Sequence, residues 1–157
     1  MRVVNAVEEV NEAQKHVLAD KIRTRFDDNL RGKCIAVWGL AFKANTDDMR
    51  EAPSLALIDD LVAAGATVRA YDPAAADQAR RLFTDSRSVT IVPHASDALE
   101  GADALAIVTE WQEFRSPDFA AMKKALKTPA IFDGRNLYDP AALRAQGLEY
   151  YPIGRKQ

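Results

Sequence analysis

The chain is poor in the residues that special chemistry and special environments require. It holds one cysteine, Cys34, among 157 residues. A lone thiol excludes an intrachain disulfide and a cysteine-built metal cluster. It also fits a reducing compartment, so a cytoplasmic location is expected. The two histidines, His16 and His94, stand far apart without partners at metal-ligand spacing, and no metal site is expected. Neither sign of charge dominates: 21 Lys and Arg face 23 Asp and Glu, for a net charge of −2. That balance gives no reason to expect a nucleic-acid or membrane partner. No run approaches the roughly 18–20 apolar residues of a membrane span. The amino terminus, MRVVNAVEEVNEAQK, is too charged for a signal peptide. Internal repeats, low-complexity tracts and linkers between domains are missing as well.

Glycine is scarce where a dinucleotide-binding turn would need it. That turn, GxGxxG between a strand and its helix, lets the backbone approach a pyrophosphate. Here CIAVW is followed by Gly39 and then by Leu40, Ala41, Phe42 and Lys43. A self-contained NAD site is therefore excluded. Asp72 stands where a ribose-binding acid would stand, but Asp72-Pro73 reads better as a turn.

The material that is present suits one globular unit with a real core: 48% of the residues are hydrophobic and 28% charged. Val3, Val7, Val10, Val17, Leu18 and Ile22 recur at helical spacing, which predicts a helix from Val3 to about Leu30. Strands are predicted at Lys33–Leu40, Thr67–Tyr71, Ser88–Val92, Asp103–Thr109, Thr128–Phe132 and Leu148–Ile153. Helices are predicted at Pro53–Ala64, Ala74–Phe83, Ser96–Glu100, Pro117–Leu126 and Pro140–Gln146. Alternating strands and helices predict the α/β class: an open, Rossmann-like parallel sheet with helices on both faces. The leading helix precedes the sheet and need not pack on it. Residues 1–30 are accordingly set apart from an α/β domain at 31–157.

In such sheets ligands bind beyond the carboxyl ends of the strands. The loop after the first strand is rich in groups that hold ligands: Phe42, Lys43, Asn45, Thr46, Asp47, Asp48, Arg50 and Glu51. Lys43 is well placed to meet a phosphate or a sugar oxygen, or it is a solvated surface lysine. Arg135, after Gly134 in a turn past the fifth strand, offers a planar fork of donors, or it pairs with Asp133 or Asp139. The acids Asp47, Asp48 and Glu51 read as arginine partners or helix caps. Trp111 packs under the loop or meets a nucleotide, and reads better as core or interdomain packing. Tyr150 and Tyr151 read as packing residues. Cys34 reads as a structural residue of the apolar strand, where burial would disfavour a thiolate.

Four ordered stretches, GLAFKANTDDMREAPS, VRAYDP, VTEWQEF and FDGRNLYDP, together resemble the carboxy-terminal UDP-sugar-binding domain of the UDP-glucose/GDP-mannose dehydrogenase family. The resemblance covers nearly the whole chain, and NTDDMREAPS is most similar to the UDP-glucose branch. It implies an oxidoreductase that converts the primary alcohol of a nucleotide sugar to an acid. The family does so in two hydride transfers to NAD, through a thioester on a cysteine. It implies that Phe42, Lys43 and Arg135 contact the UDP-sugar. Arg50 would reach NAD held mainly by another, amino-terminal domain. The helix from Val3 to Leu30 resembles the end of a long helix that joins the two halves of a homodimer or larger assembly. The catalytic cysteine motif belongs upstream and is not in this chain, so no residue here is expected to be catalytic and the chain alone is expected to be inactive. Open alternatives are the same domain of a UDP-N-acetylhexosamine or GDP-mannose dehydrogenase, or a stand-alone nucleotide-binding or dimerisation module.

Overall fold

A computed structural model describes residues 14–154. The strands are β1 (Cys34–Trp38), β2 (Thr67–Tyr71), β3 (Val89–Ile91), β4 (Ala104–Ile107), β5 (Ala130–Asp133) and β6 (Glu149–Pro152). The helices are α1 (Val17–Arg25), α2 (Pro53–Ala63), α3 (Ala76–Leu82), α4 (Ala95–Leu99), α5 (Phe119–Ala125) and α6 (Pro140–Ala145), with a 3-10 turn at Gln112–Phe114. The six strands form one sheet in the order β3-β2-β1-β4-β5-β6, and every pair is parallel. This is the expected Rossmann-like sheet, with its topological switch between β1 and β4.

Side chains alternate across the sheet, as a two-residue period demands. Ile35 and Val37 of β1, Ala104 and Ala106 of β4, and Phe132 of β5 face one core with α1, α2 and α3. Ala36 and Trp38, Leu105 and Ile107, and Ile131 face a second core with α4, α5 and α6. Both faces are covered, which is why the central strands are apolar throughout. No helix of the described residues is long and apolar enough to cross a membrane.

Three expectations change. The leading helix packs on the sheet: Leu18, Ala19 and Ile22 are buried in the first core. The physical reason is topological. The helices after β3, β4 and β5 lie on the other face, so the small side chains Ala104, Ala106 and Ala130 would be bare without α1. The helix also stops at Arg25, short of Leu30, because Asp27 and Asp28 adopt left-handed φ of 55° and 57° and turn Leu30 into the core. The part predicted for Val3 to Ala13 lies outside the described residues. Finally, Cys34 is only half-buried, because it is the first residue of β1 and sits at the sheet's amino-terminal rim.

Candidate functional site

The carboxyl ends of the strands carry the loops that matter, and a cavity of about 670 Å³ opens there on the α1–α2 side. Its floor is made by Val108 after β4 and by Gly134 and Arg135 after β5. Phe42, Glu51 and Pro53 form one wall, from the loop between β1 and α2. Gln14, Lys15 and Leu18 close the other wall, from the first turns of helix. Two of the expected ligand residues, Phe42 and Arg135, therefore come together from distant parts of the chain. Phe42 is conspicuous because it is a large apolar side chain left 48% exposed.

Arg135 is held in place by the turn that carries it. Its backbone N–H donates to Oδ1 of Asp133 at 2.8 Å. The Asp133 carboxylate is fully buried at the end of β5 and also accepts from the Leu137 N–H at 2.6 Å and the Tyr150 hydroxyl at 2.6 Å. Asn136, at a left-handed φ of 56°, exchanges two hydrogen bonds with the Ile153 backbone, at 2.8 and 3.0 Å. The guanidinium Nε donates to the Val108 carbonyl at 3.2 Å and lies 3.4 Å from Glu110 Oε2. Asp133 thus serves the backbone of Arg135, and Glu110 is the acid that meets its side chain. Neither Asp133 nor Asp139 is the ion-pair partner that the sequence offered.

The loop after β1 is folded on itself. The Phe42 N–H donates to the Asp48 carbonyl at 2.7 Å, and Asn45 and Glu51 take left-handed φ of 66° and 54°. Lys43 is exposed on this loop and is not among the cavity-lining residues. Arg50 is exposed too, and its Nε and Nη2 meet both carboxylate oxygens of Asp48, at 2.9 Å for the Nη2 contact. Hydrogen bonds from Arg50 hold the Asp48 carboxyl down to about 2. The pairing expected for this acid is present, and it leaves the Arg50 side chain outside the cavity.

Beneath the loop lies a buried acid. Asp72 is 2% exposed and receives five hydrogen bonds. Its Oδ2 accepts from the backbone N–H of Leu40 at 2.7 Å, of Ala41 at 2.9 Å, and from Trp111 Nε1 at 3.2 Å. Its Oδ1 accepts from the N–H of Ala74 and Ala75, both at 2.8 Å. The turn reading of Asp72-Pro73 is correct but incomplete, since the same carboxylate ties the loops after β1 and β4 together. Two hydroxyls add to the fastening: Thr109 donates to the Ala41 carbonyl at 3.0 Å and Ser54 to the Leu40 carbonyl at 2.7 Å. Gly39, at φ 98°, lies so close to Thr109 that an added Cβ would sit 2.6 Å from its side chain.

This arrangement bears on NAD. A dinucleotide at the switch point would place its pyrophosphate on the N–H groups that follow β1. In this chain those of Leu40 and Ala41 are already bound to Asp72. The turn does not fit a dinucleotide phosphate.

On the other side of the sheet the aromatic cluster is structural. Trp38 stacks on Phe114 with centroids 5.1 Å apart. The Tyr138 hydroxyl donates to the Phe114 carbonyl, and burial pushes that phenol up. The Tyr71 hydroxyl donates to Glu113, and burial followed by this bond pushes it up as well. Cys34 is at the opposite rim from the cavity, its N–H donating to Asp103 Oδ2 at 2.8 Å. No group of three His, Cys, Asp or Glu among the described residues is placed to hold a metal.

Sequence reasoning did not reach Lys15 and Val108 as cavity residues, or Asp133 and Asp72 as the acids that fix the two loops. The Asp-Gly and Asp-Pro pairs at 133–134 and 72–73 signal turns, but they carry no information on which distant N–H groups the carboxylates will meet.

Comparison with known proteins agrees with this fold. A family model described as "UDP-glucose/GDP-mannose dehydrogenase family, UDP binding domain" matches residues 36–140. The chain is 45% identical over 157 residues to a UDP-glucose 6-dehydrogenase of Pseudomonas aeruginosa, covering 98% of this chain and 35% of that protein. It is 42% identical over 154 residues to one of Bacillus subtilis, covering 98% and 34%. Among solved structures, a UDP-glucose dehydrogenase from Pyrobaculum islandicum superposes with a TM-score of 0.79 at 30% identity, over 96% of this chain and 32% of that one. A UDP-D-ManNAc dehydrogenase from Pyrococcus horikoshii gives a TM-score of 0.72 at 28% identity, over 98% and 33%. The chain spans about a third of the length of the curated relatives it matches.

Proposed function

Because the chain belongs to the UDP-glucose/GDP-mannose dehydrogenase family, by its UDP-binding domain, we propose that it is the nucleotide-sugar-binding part of a UDP-glucose 6-dehydrogenase. The whole enzyme oxidises UDP-glucose to UDP-glucuronate in the cytoplasm with two equivalents of NAD, and works as a homodimer or larger assembly. One observation carries the reading. Phe42 and Arg135, each from a separate family-like stretch, line one cavity at the carboxyl edge of the sheet. A cation beside an apolar ring suits a ligand that is anionic at one end and flat at the other.

On this reading Arg135 supplies charge-assisted hydrogen bonds to the UDP-sugar, and Glu110 keeps the guanidinium aimed until the ligand arrives. Phe42 presents an apolar wall. Lys43, exposed on the same loop, reaches the ligand as a flexible point charge. Arg50 belongs to a different surface and meets NAD held by the rest of the protein. The occupied turn after β1 supports assigning the dinucleotide elsewhere. Hydride transfer and the covalent chemistry are then the work of residues outside this chain, and the chain alone has no dehydrogenase activity.

UDP-glucose is preferred over N-acetylated sugars because the relatives at 45% and 42% identity are both named UDP-glucose 6-dehydrogenases and NTDDMREAPS is most similar to that branch. Parallel calorimetric titration of the 157-residue chain with UDP, GDP and NAD tests the proposal. UDP is expected to bind with about −4 to −6 kcal/mol, high micromolar to millimolar, and NAD more weakly. Tighter binding of NAD or GDP than of UDP would overturn it.

A further inference from the structure

We infer that Asp72 is a positioning residue for the nucleotide-sugar site: an internal anion that occupies the phosphate position of the Rossmann turn and thereby sets the loop carrying Phe42 and Lys43. This rests on the functional reading above. It adds a residue that contacts no ligand in that reading.

In a doubly wound sheet, the N–H groups after β1 are the natural seat of a ligand phosphate. Here the N–H groups of Leu40 and Ala41 point at a carboxylate from the end of β2, at 2.7 and 2.9 Å. The chain has supplied its own anion. Because Phe42 is the next residue, its direction into the cavity follows from how Leu40 and Ala41 are held. The same carboxylate binds Trp111 Nε1, so the loop after β4, which carries Val108 to Glu110 under Arg135, is tied to the same point. Thr109 and Ser54 hold the carbonyls of Ala41 and Leu40, so each of these two residues is held at both its N–H and its carbonyl.

The requirement is for two acceptor oxygens, not for shape. Oδ1 faces two N–H donors and Oδ2 faces three. An asparagine amide, whichever way it is turned, must aim its NH₂ at a set of donors. Repulsion and unmet N–H groups follow in a site that is 2% exposed. The expected consequence is a loop that no longer presents Phe42 and Lys43 together.

The test uses the 157-residue chain with the variants Asp72→Asn and Val68→Ala. Val68 is buried in the first core on the same strand and serves as a stability control. In Asp72→Asn, hydrogen exchange at the Leu40, Ala41 and Phe42 amides should quicken while that at Ile35 and Leu105 stays slow. UDP affinity, measured well below the melting temperature, should fall about tenfold, the size of one lost bond to a charged group. Val68→Ala should lower the melting temperature and leave UDP affinity unchanged. If Asp72→Asn loses stability but binds UDP as the parent does, Asp72 is only structural and the inference fails. Should Asp72→Asn not fold, Trp111→Phe removes one donor at smaller cost. It should then quicken exchange at Leu40 and Ala41 and weaken UDP, and no change in either would overturn the inference. If the parent chain binds no UDP at all, the functional reading fails first. The exchange pattern then decides the clamp alone, with unchanged loop exchange counting against it.

Discussion

Arg135 and Gly39 make opposite demands on their surroundings. Arg135 is free to act because others fix it: Asp133 takes its N–H, Val108 and Glu110 take its Nε. Replacing it with alanine should remove charge-assisted bonds to UDP and weaken binding by about tenfold or more, read by calorimetry. Lys43→Ala should show a loss of about tenfold. Arg50→Ala should leave UDP affinity unchanged, since its guanidinium is already engaged by both carboxylate oxygens of Asp48. A fall in UDP binding equal to that of Arg135→Ala would sink the division of roles. Gly39 acts only by being small. Its φ of 98° and the 2.6 Å approach of Thr109 both refuse a side chain. Gly39→Ala should cost on the order of 2–4 kcal/mol from strain and overpacking, measured as a shift in the urea unfolding midpoint.

At the level of elements, α1 precedes the sheet in the chain and yet packs on it. Its buried stripe, Leu18, Ala19 and Ile22, shares a core with α2 and the alanine side of β4 and β5. Ile22→Ala should therefore cost about 2–5 kcal/mol, and unfolding should remain a single transition. A separate early melt of α1 would show that the helix is peripheral. Arg25 also ties α1 to β6, its Nε and Nη2 donating to Glu149 at 2.6 and 3.0 Å. The bond to Arg25 lowers the Glu149 carboxyl below its ordinary 4.5. The sign follows: a depressed carboxyl stabilises the fold above its unfolded value and loses that contribution as pH falls through the lower folded value. Both side chains are about a third exposed, 36% and 35%, so the pair contributes only about 0.2–1 kcal/mol. Arg25→Met should thus lower stability slightly at neutral pH and converge with the parent as pH falls through the depressed Glu149 value, in paired denaturation curves. A gap that persists in acid would mean lost packing rather than lost charge.

For the whole molecule, the chain spans about a third of the length of its curated relatives, and the proposed division of labour is tested by what it does alone. Incubated with UDP-glucose and NAD, it should yield no NADH above the blank, and sustained turnover by a pure sample would refute the division of labour proposed here. In an enzyme of full relative length, Arg135→Ala should mainly raise the Michaelis constant for UDP-glucose. Arg50→Ala should mainly raise that for NAD. Each loss should be on the order of 2–4 kcal/mol in kcat/KM. Damage to the UDP-glucose term by both variants would leave Arg50 in the wrong role.

Fold class and the alternation of strands with helices were legible in the residues, because they depend on local rules. A continuous apolar run at Cys34–Trp38 and an alternating one at Thr67–Tyr71 define strands, and Pro53, Pro140, Gly65 and Gly147 punctuate helices. The family-like stretches brought Phe42, Lys43, Arg50 and Arg135 into view without any coordinates. What lay beyond reach depends on approach between distant segments. That α1 fills the alanine-lined half of the sheet follows from which face the crossovers leave bare. That Arg135 meets Glu110 rather than Asp133 follows from how the turn after β5 spends its acid on backbone N–H groups. That Asp72 seals the turn after β1 follows from the parallel pairing of β1 with β2, which brings a carboxylate to N–H groups 31 and 32 residues away. Local sequence sets periodicity and turn chemistry; partners across the sheet exist only once the chain has closed on itself, because a hydrogen bond is a matter of ångströms and not of residue number.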